Sequence, residues 1–191
     1  MVANLETERL VLRPFTAEDL NSLTVLHAEP SFWWYSLRRG QTPEETREFL
    51  DRQLALYEQD GLGFHAVIER AGGALAGWAG LAVPAFLPEV LPAVEVGWRL
   101  GSAFRQQGYA TEAGAAWVRW GFRQLGLERL VSVYEPENVA SGRVMEKLGF
   151  RLERVTVHPR GGTELYVTDL TEATWTELCA AGDWPASSTK A

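Results

Sequence analysis

A strand–loop–helix–strand segment in the middle of the chain constrains the fold more than any other part of the sequence. Val94–Leu100 reads as a strand, 101–108 as a polar loop with glycines, 110–125 as a helix and 130–134 as a second strand. A helix of this length between two strands has the size of a right-handed crossover, so the two strands are predicted to lie parallel. The sequence therefore predicts an α/β fold in which helices cover one mixed sheet.

The segments on either side predict further elements of the same domain. These are a strand over 8–15, helices over 16–27, 42–60, 140–148 and 171–180, and hairpins over 64–83 and 150–169. Residues 30–40 are expected to be irregular. One domain is expected over residues 1–181, and the small, polar residues 182–191 are expected to form a disordered tail.

Composition and charge limit the classes of function. The chain has 191 residues, of which 46% are hydrophobic, and this length fits one globular domain. Its net charge of −7 disfavours general binding to nucleic acids, whose phosphates it would repel, and favours a cationic partner such as an amine. The N-terminal residues show no secretory signal, and no apolar stretch is long enough to span a membrane. A cytoplasmic protein without a membrane partner is therefore expected.

The few cysteine and histidine residues predict neither a disulfide nor a metal site. Cys179 is the single cysteine, and its distance along the chain from the loop favours a structural role over that of a nucleophile. His27, His65 and His158 lie in different predicted elements, and none has a partner at the spacing of metal ligands. No metal is therefore expected.

The residues that lead into the long helix have the properties of an anion site. Arg105-Gln106-Gln107-Gly108-Tyr109-Ala110-Thr111-Glu112 lies between the strand and the helix. The first N–H groups of a helix have no partner within it and lie at the positive end of its dipole, which predicts a diphosphate across amides 106–110. From spacing alone, a simple turn at Gly108 is an equally good interpretation. The Walker and three-glycine dinucleotide patterns are absent, which disfavours nucleoside triphosphates and NAD.

The same loop resembles the (Gln/Arg)-x-x-Gly-x-(Gly/Ala) signature of GNAT N-acyltransferases, in which it holds the pyrophosphate of coenzyme A. Four further segments match the family in order: Leu5–Arg13, Glu95–Trp98, Asn138–Ser141 and Glu146–Phe150. The combination is similar to the ribosomal-protein N-terminal acetyltransferase (Rim-type) branch, over about residues 5–171. The resemblance implies a mostly antiparallel sheet with one parallel, splayed strand pair and helices on both faces. It also implies acetyl-CoA as the co-substrate.

The resemblance implies which residues surround the acyl group. The pantetheine arm would lie between the splayed strands, where backbone N–H groups of the first strand face the thioester carbonyl. Glu95 is the candidate general base, acting directly or through water, and a surface acid on a half-exposed strand is the alternative. The implied cofactor-binding residues are Gly97, Trp98, Leu100, Arg105, Gln106, Gln107, Gly108, Tyr109, Ala110, Thr111, Asn138 and Ser141.

Asn138 and Ser141 lie at the start of the helix that follows Tyr134. Helix capping explains both residue types. The resemblance implies in addition that Asn138 bonds the pantetheine arm and that Ser141 protonates the departing thiolate, directly or through water. Many GNAT enzymes use a tyrosine for this step, but Tyr134 lies at the end of a strand and does not match that position.

The acceptor side is predicted to include the aromatic segment Phe32-Trp33-Trp34-Tyr35. Trp33, Trp34 and Tyr35 are candidates for an apolar wall around the substrate, and burial in the core is the alternative, favoured for two of the four residues. The resemblance implies acetyl transfer to a primary amine of a protein N-terminus or a small molecule. A non-catalytic acyl-CoA sensor or a protein-interaction module is the alternative function, and a homodimer is left open.

Overall fold

The structure of the protein is a computed structural model that describes residues 3–59, 61–159 and 161–185. The strands are β1 (Leu5–Glu6), β2 (Leu10–Arg13), β3 (Gly63–Glu69), β4 (Leu75–Ala82), β5 (Val94–Leu100), β6 (Arg129–Tyr134), β7 (Arg151–Val157) and β8 (Glu164–Thr171). The helices are α1 (Leu20–His27), α2 (Trp34–Leu37), α3 (Pro43–Gln59), α4 (Tyr109–Gln124), α5 (Val139–Lys147) and α6 (Glu172–Ala181).

These strands form one sheet in the order β1-β2-β3-β4-β5-β6-β8-β7. Neighbouring strands are antiparallel except β5 and β6, which run parallel because α4 crosses over between them. The predicted mixed, mostly antiparallel sheet with one parallel pair is confirmed.

Helices cover both faces of the sheet. In β3, Ala66 packs into the core beneath α1 and α3, whereas its neighbour Val67 packs into the core beneath α4. Because successive side chains of a strand point to opposite faces, these two cores lie on opposite sides of the sheet. The core on the α4 side is centred on Trp117, which is 1% exposed.

The N-terminal region differs from its prediction. In place of one strand over 8–15, β1 and β2 pair with each other around a turn at Thr7, whose hydroxyl accepts a 3.0 Å hydrogen bond from the amide of Leu10. A strand of two residues is too short to show an alternating pattern, so no periodicity predicted β1. The helix α2, which lies inside the segment predicted to be irregular, is a single turn that ends at Arg38, whose φ is 59°.

The C-terminal region is packed further than predicted. Trp184 lies in the segment expected to be a disordered tail, but it is 7% exposed and its ring contacts that of Trp175. The domain therefore extends at least to Trp184, because one large aromatic side chain buries enough apolar area to order a short segment. The rest of the expected tail, residues 186–191, lies outside the described residues.

Candidate active site

A gap opens in the sheet where β5 and β6 separate. Within the described residues, the parallel ladder pairs Val94 and Glu95 with β6 and goes no further, whereas the ladder between β5 and β4 continues to Leu100. At the point of separation, the buried Ser132 hydroxyl donates a 2.8 Å hydrogen bond to the carbonyl oxygen of Val96. The carbonyl of Val96 lies just beyond the last paired residue of β5. Because Ser132 bonds it, the two strands separate without leaving this buried carbonyl unpaired.

The pairing with β4 decides which amides of β5 point into the gap. Gly101 N donates to Ala76 O at 2.9 Å, and every second residue back along β5, including Gly97, bonds to β4 in the same way. The N–H groups of Trp98 and Leu100 therefore point away from β4 and into the gap. Gly97, Trp98 and Leu100 were the predicted backbone contacts of the cofactor. Gly97 differs from the other two, because its N–H is bonded to β4 and cannot donate into the gap.

The gap leads into a cavity of about 100 Å³. The cavity brings together Glu95 and Ser141, which the sequence placed in separate segments. Its lining residues are Phe64, Trp78, Glu95, Gly97, Trp98, Arg99, Ser132, Val133, Ser141 and Met145. The exposed surface of the cavity is mostly polar, although large apolar side chains such as Phe64 and Trp78 stand among the lining residues. A site of this composition suits a polar or charged ligand.

Glu95, the candidate general base, lines the cavity. It is half-buried and points away from the α4 side, because its neighbour Val96 packs into the α4 core. Burial raises the pKa of the Glu95 carboxyl to about 7, and the nearby guanidinium of Arg99 opposes part of this rise. Close to neutral pH the carboxylate is therefore present and basic enough to accept a proton. This half-buried position also fits the alternative interpretation of Glu95 as a surface acid on a half-exposed strand.

A row of backbone amides without partners lies between β5 and α4. Among the described residues, none of the amides from Gln106 to Thr111 donates a hydrogen bond, and the first bond of α4 runs from Glu112 N to Gly108 O at 3.0 Å. Gln106 and Gly108 have φ angles of 60° and 83°, which bend the loop. A Cβ at Gly108 would lie 3.3 Å from Arg9 Nη2, so glycine also keeps this surface open. Unpaired amides at a helix start suit a phosphate group.

Arg105 holds the loop in place through its side chain. Its Nε donates to Leu100 O at 2.9 Å, and its Nη2 donates to Ser31 O at 2.8 Å. These bonds join the loop to the end of β5 and to the connection between α1 and α2. The positive charge of Arg105, an implied cofactor-binding residue, stays beside the loop, and its Nε and Nη2 donate to protein carbonyls.

Glu112 places a negative charge in the first turn of α4, where it would repel a diphosphate. Its carboxylate accepts hydrogen bonds from the Thr7 hydroxyl at 2.6 Å, from Arg9 N at 2.9 Å and from Arg9 Nε at 2.7 Å. Arg9 Nη1 also donates to Gln107 O at 2.8 Å, and its guanidinium lies 4.7 Å from the Tyr109 ring centre. The β1–β2 hairpin thus neutralises Glu112 and supports the loop.

Sequence reasoning gave no role to Thr7, Arg9 or Glu112. Thr7 and Arg9 lie in the matched segment Leu5–Arg13, and Glu112 lies two residues beyond the matched signature of the loop. Their contact joins residues 103 or more positions apart, so spacing along the chain did not reveal it.

The start of α5 combines helix capping with access to the cavity. Asn138 is the N-cap residue, and its side-chain oxygen accepts a 3.3 Å hydrogen bond from Ser141 N. The Ser141 hydroxyl takes no part in this cap, and Ser141 lines the cavity. Tyr134 packs against α5, where a Cβ at Gly142 would lie 3.0 Å from its ring. Of these two residues, Ser141 lines the cavity and Tyr134 does not.

The aromatic segment divides between the core and the surface. Phe32 and Trp33 are 2% and 8% exposed and pack in the α1–α3 core, so core burial applies to two of the four residues. Trp34 is 47% exposed and Tyr35 is half-buried. Trp33 forms the wall behind Arg99, whose guanidinium lies 4.4 Å from its ring centre.

Helix α2 is attached to the segment that follows β6. Arg38 forms an ion pair with Glu135, whose side chain is largely buried. The Tyr35 hydroxyl donates to Glu137 O at 3.4 Å. Since α2 also contacts β5 through the bond from Arg99 to Ser36 Oγ, it joins the two sides of the gap.

The remaining chemistry-bearing side chains lie outside the cavity lining. His27 and His65 are buried, and burial lowers the pKa of each to about 4, so both are neutral at pH 7. Cys179 is exposed on α6. In the part of the chain that the structure describes, no three His, Cys, Asp or Glu side chains are grouped to hold a metal ion. None of the helices described there is long and apolar enough to cross a membrane.

Comparison with known proteins agrees with this geometry. Residues 9–151 match the acetyltransferase (GNAT) domain. The chain is 30% identical over 153 residues to the uncharacterized N-acetyltransferase YoaA of Bacillus subtilis (strain 168), covering 79% of this chain and 84% of that protein. The chain therefore belongs to the GNAT family of N-acetyltransferases, and the family predicted from its motifs is confirmed.

Solved structures show the same fold. The acetyltransferase from Agrobacterium tumefaciens str. C58 superposes with a TM-score of 0.75 at 29% identity, covering 90% of this chain and 96% of that chain. The ribosomal-protein-S5-alanine acetyltransferase from Vibrio fischeri superposes with a TM-score of 0.72 at 19% identity, covering 91% and 98%. At 19% identity, the likeness to the Vibrio fischeri protein concerns the fold alone, so it says nothing about the acceptor of this protein.

Proposed function

We propose that this protein transfers the acetyl group of acetyl-CoA to a primary amine, of a small molecule or a protein N-terminus, by direct attack of the amine on the thioester. The observation that carries the proposal is the meeting of Glu95 and Ser141 in one cavity. That cavity opens onto a gap along β5, and the strand leads directly into the loop of unpaired amides.

The pyrophosphate of acetyl-CoA fits the amides from Gln106 to Thr111, because they are unpaired and Glu112 is neutralised by Arg9. The pantetheine arm would follow the gap, where the N–H groups of Trp98 and Leu100 are available as donors. The side-chain nitrogen of Asn138 takes no part in the α5 cap, so it is free to bond the same arm.

Acetyl transfer requires a neutral amine, a polarised carbonyl and a proton for the departing sulfur. Glu95 takes a proton from the amine, directly or through water, and the amine nitrogen then bonds the carbonyl carbon. The N–H of Trp98 stabilises the negative charge that develops on the carbonyl oxygen. The carbon–sulfur bond breaks, and the attacking nitrogen loses its second proton. Ser141 passes a proton to the thiolate and regains one from this nitrogen, directly or through water. The products are the acetylated amine and free coenzyme A.

The alternative function, a non-catalytic acyl-CoA sensor, leaves two features of the cavity without a role. A sensor needs the phosphate loop and the gap, but it needs neither a buried carboxyl with a pKa of about 7 nor a serine in the same cavity. Perturbed carboxyls of this kind are typical of catalytic sites. The combination therefore favours turnover.

Two measurements test the proposal. Calorimetric titrations with acetyl-CoA, ATP and NAD should show binding of acetyl-CoA and not of the other two. A thiol-release assay with acetyl-CoA and a panel of polyamines, amino acids and N-terminal peptides should detect free coenzyme A with at least one amine. Acetyl-CoA binding without thiol release for any amine would establish the sensor, and preferential ATP or NAD binding would reject the loop assignment.

A further inference from the structure

Arg99 is a half-buried cation on the wall of the acceptor cavity. It lines the cavity together with Glu95 and points to the same face of β5, because the two residues are separated by an even number of positions. Its guanidinium lies 4.4 Å from the Trp33 ring centre and 5.4 Å from that of Trp78. The aromatic rings fix the plane of the guanidinium beside the place where an acceptor must bind.

The hydrogen bonds of Arg99 leave one edge of the guanidinium available. Nη1 donates to Phe32 O at 2.8 Å and to Ser36 Oγ at 3.1 Å, and both bonds use the same nitrogen. Within the described residues, Nε and Nη2 donate to no atom. The Nε–Nη2 edge is a planar pair of donors that matches the two oxygens of a carboxylate.

Within the described residues, no carboxylate forms a direct ion pair with Arg99. Burial lowers the pKa of Arg99 to about 10, although the charges of Glu135 and Glu95 favour its charged form, so it remains charged at neutral pH. A half-buried guanidinium that lacks a direct partner marks a place where a ligand can supply the opposite charge.

Resting on the acetyltransferase function proposed above, we infer that the acceptor is a small amino carboxylate, such as a free amino acid, whose carboxylate pairs with the Nε–Nη2 edge of Arg99 while its amine lies beside Glu95. Both ends of such a zwitterion find an opposite charge on the same face of β5. The cavity of about 100 Å³ is small compared with the roughly 300–1,000 Å³ of drug-sized sites, which favours a small acceptor.

A thiol-release assay with matched acceptors tests this inference. Each free amino acid is compared with its carboxamide, which keeps the amine and side chain but replaces the carboxylate with a neutral group. Because an ionic hydrogen-bonded pair is lost, wild-type kcat/KM should be higher for at least one acid than for its amide by about 10-fold or more. In Arg99→Met the two members of that pair should become equal within about 2-fold.

Two further variants separate recognition from support of the fold. Arg99→Lys keeps the charge but loses the two-donor edge, so part of the preference for the acid should remain. Arg39→Met removes an arginine of the same segment that is paired with Glu45, away from the cavity lining, so it should keep the full preference. A structural role of Arg99 alone would instead lower the rates of acid and amide by the same factor.

Several outcomes would overturn the inference. It is wrong if the wild-type enzyme uses amides as well as acids, if it acetylates polyamines or peptide N-termini but no amino acid, or if Arg99→Met keeps the preference. Those results would leave the acetyltransferase function intact, since thiol release would still occur. Failure of acetyl-CoA titration, or of thiol release with every amine, would instead reject the proposed function and this inference with it.

Discussion

The two sides of the gap are built in different ways. On the cofactor side, the amides come from one continuous loop, which Arg105 and Arg9 hold in place through bonds to backbone and to Glu112. On the acceptor side, the walls come from α2, the face of β5 that carries Glu95 and Arg99, and the segment after β6. These parts meet through contacts such as the Arg38–Glu135 ion pair. The comparison teaches that a site within one segment can be read from a motif, whereas a site assembled from distant segments requires the fold.

The largest effect should come from breaking the cofactor side. Gly108→Glu places a negative charge at the diphosphate position and a side chain on a backbone with a φ of 83°. Like-charge repulsion in the loop should weaken acetyl-CoA binding by about 100-fold or more, as measured by calorimetric titration.

Gly126→Glu is the matched control for this variant. Gly126 also has a positive φ, of 64°, and lies at the other end of α4 with open space around it. It should show a similar loss of thermal stability and normal acetyl-CoA affinity. Normal affinity in a folded Gly108→Glu protein would contradict the loop assignment.

On the acceptor side, Glu95→Gln should reduce kcat/KM by about 100-fold or more with little change in acetyl-CoA affinity. For the wild type, activity should rise with pH through about 7, because the ionised carboxyl is the active form. The ratio of wild-type to variant rates cancels the titration of the amine, so this ratio should rise with pH and level off above 7. A ratio that is constant with pH would remove Glu95 as the base.

Stability measurements provide the control for Glu95→Gln. Burial gives the Glu95 carboxyl a higher pKa in the folded state than in the unfolded state. The free energy of unfolding therefore falls as the pH rises from the ordinary pKa of a glutamate to about 7. Glutamine lacks this charge, so the variant should melt at pH 8 no lower than the wild type. Loss of activity with an unchanged or higher melting temperature excludes misfolding as the cause.

Ser141→Ala sharpens the assignment at the start of α5. The α5 cap uses the backbone N–H of Ser141 and not its hydroxyl, so the helix should remain stable. Water can replace the hydroxyl in part, so kcat should fall by roughly 10-fold with unchanged acetyl-CoA affinity. Asn138→Ala is the contrasting variant, because it removes the cap and should lower the melting temperature. An unchanged kcat in Ser141→Ala would exclude the proton-donor role.

The smallest effect should come from Arg9→Met, which tests support of the loop from the β1–β2 hairpin. An exposed ion pair of this kind contributes about 1 kcal/mol, which corresponds to roughly 5-fold weaker acetyl-CoA binding. Adding Glu112→Gln should restore part of the affinity, because the uncompensated charge is then removed. Arg70→Met is the control, since Arg70 pairs with Glu6 in the same region without a recorded contact to the loop. Equal losses in both variants would contradict the role given to Arg9.

Much of the fold could be predicted because its signals are local. The periodicity of 94–134 predicted the parallel strand pair, and the capping and glycine signals located α3, α4 and α5 to within about three residues. The two-residue β1 and the single-turn α2 were missed because neither is long enough to show a period. Trp184 was placed in a tail because the residues around it are small and polar, although its own side chain is buried against Trp175.

The candidate site could be predicted in part for the same reason. Glu95, Ser141 and the loop lie in motif segments, whereas the supporting roles of Arg9 and Arg99 depend on contacts across the fold. For Gly97, the sequence placed the right strand beside the gap, but the direction of its N–H depends on the hydrogen-bond register with β4, which no single-strand pattern contains.

The left-handed backbone of Gln106 has a consequence for which residues this position of the loop tolerates. A non-glycine residue at a φ of 60° costs roughly 1–2 kcal/mol, and a β-branched side chain is the least compatible with this region. Gln106→Val should therefore lower the melting temperature, whereas Gln106→Asn should be tolerated.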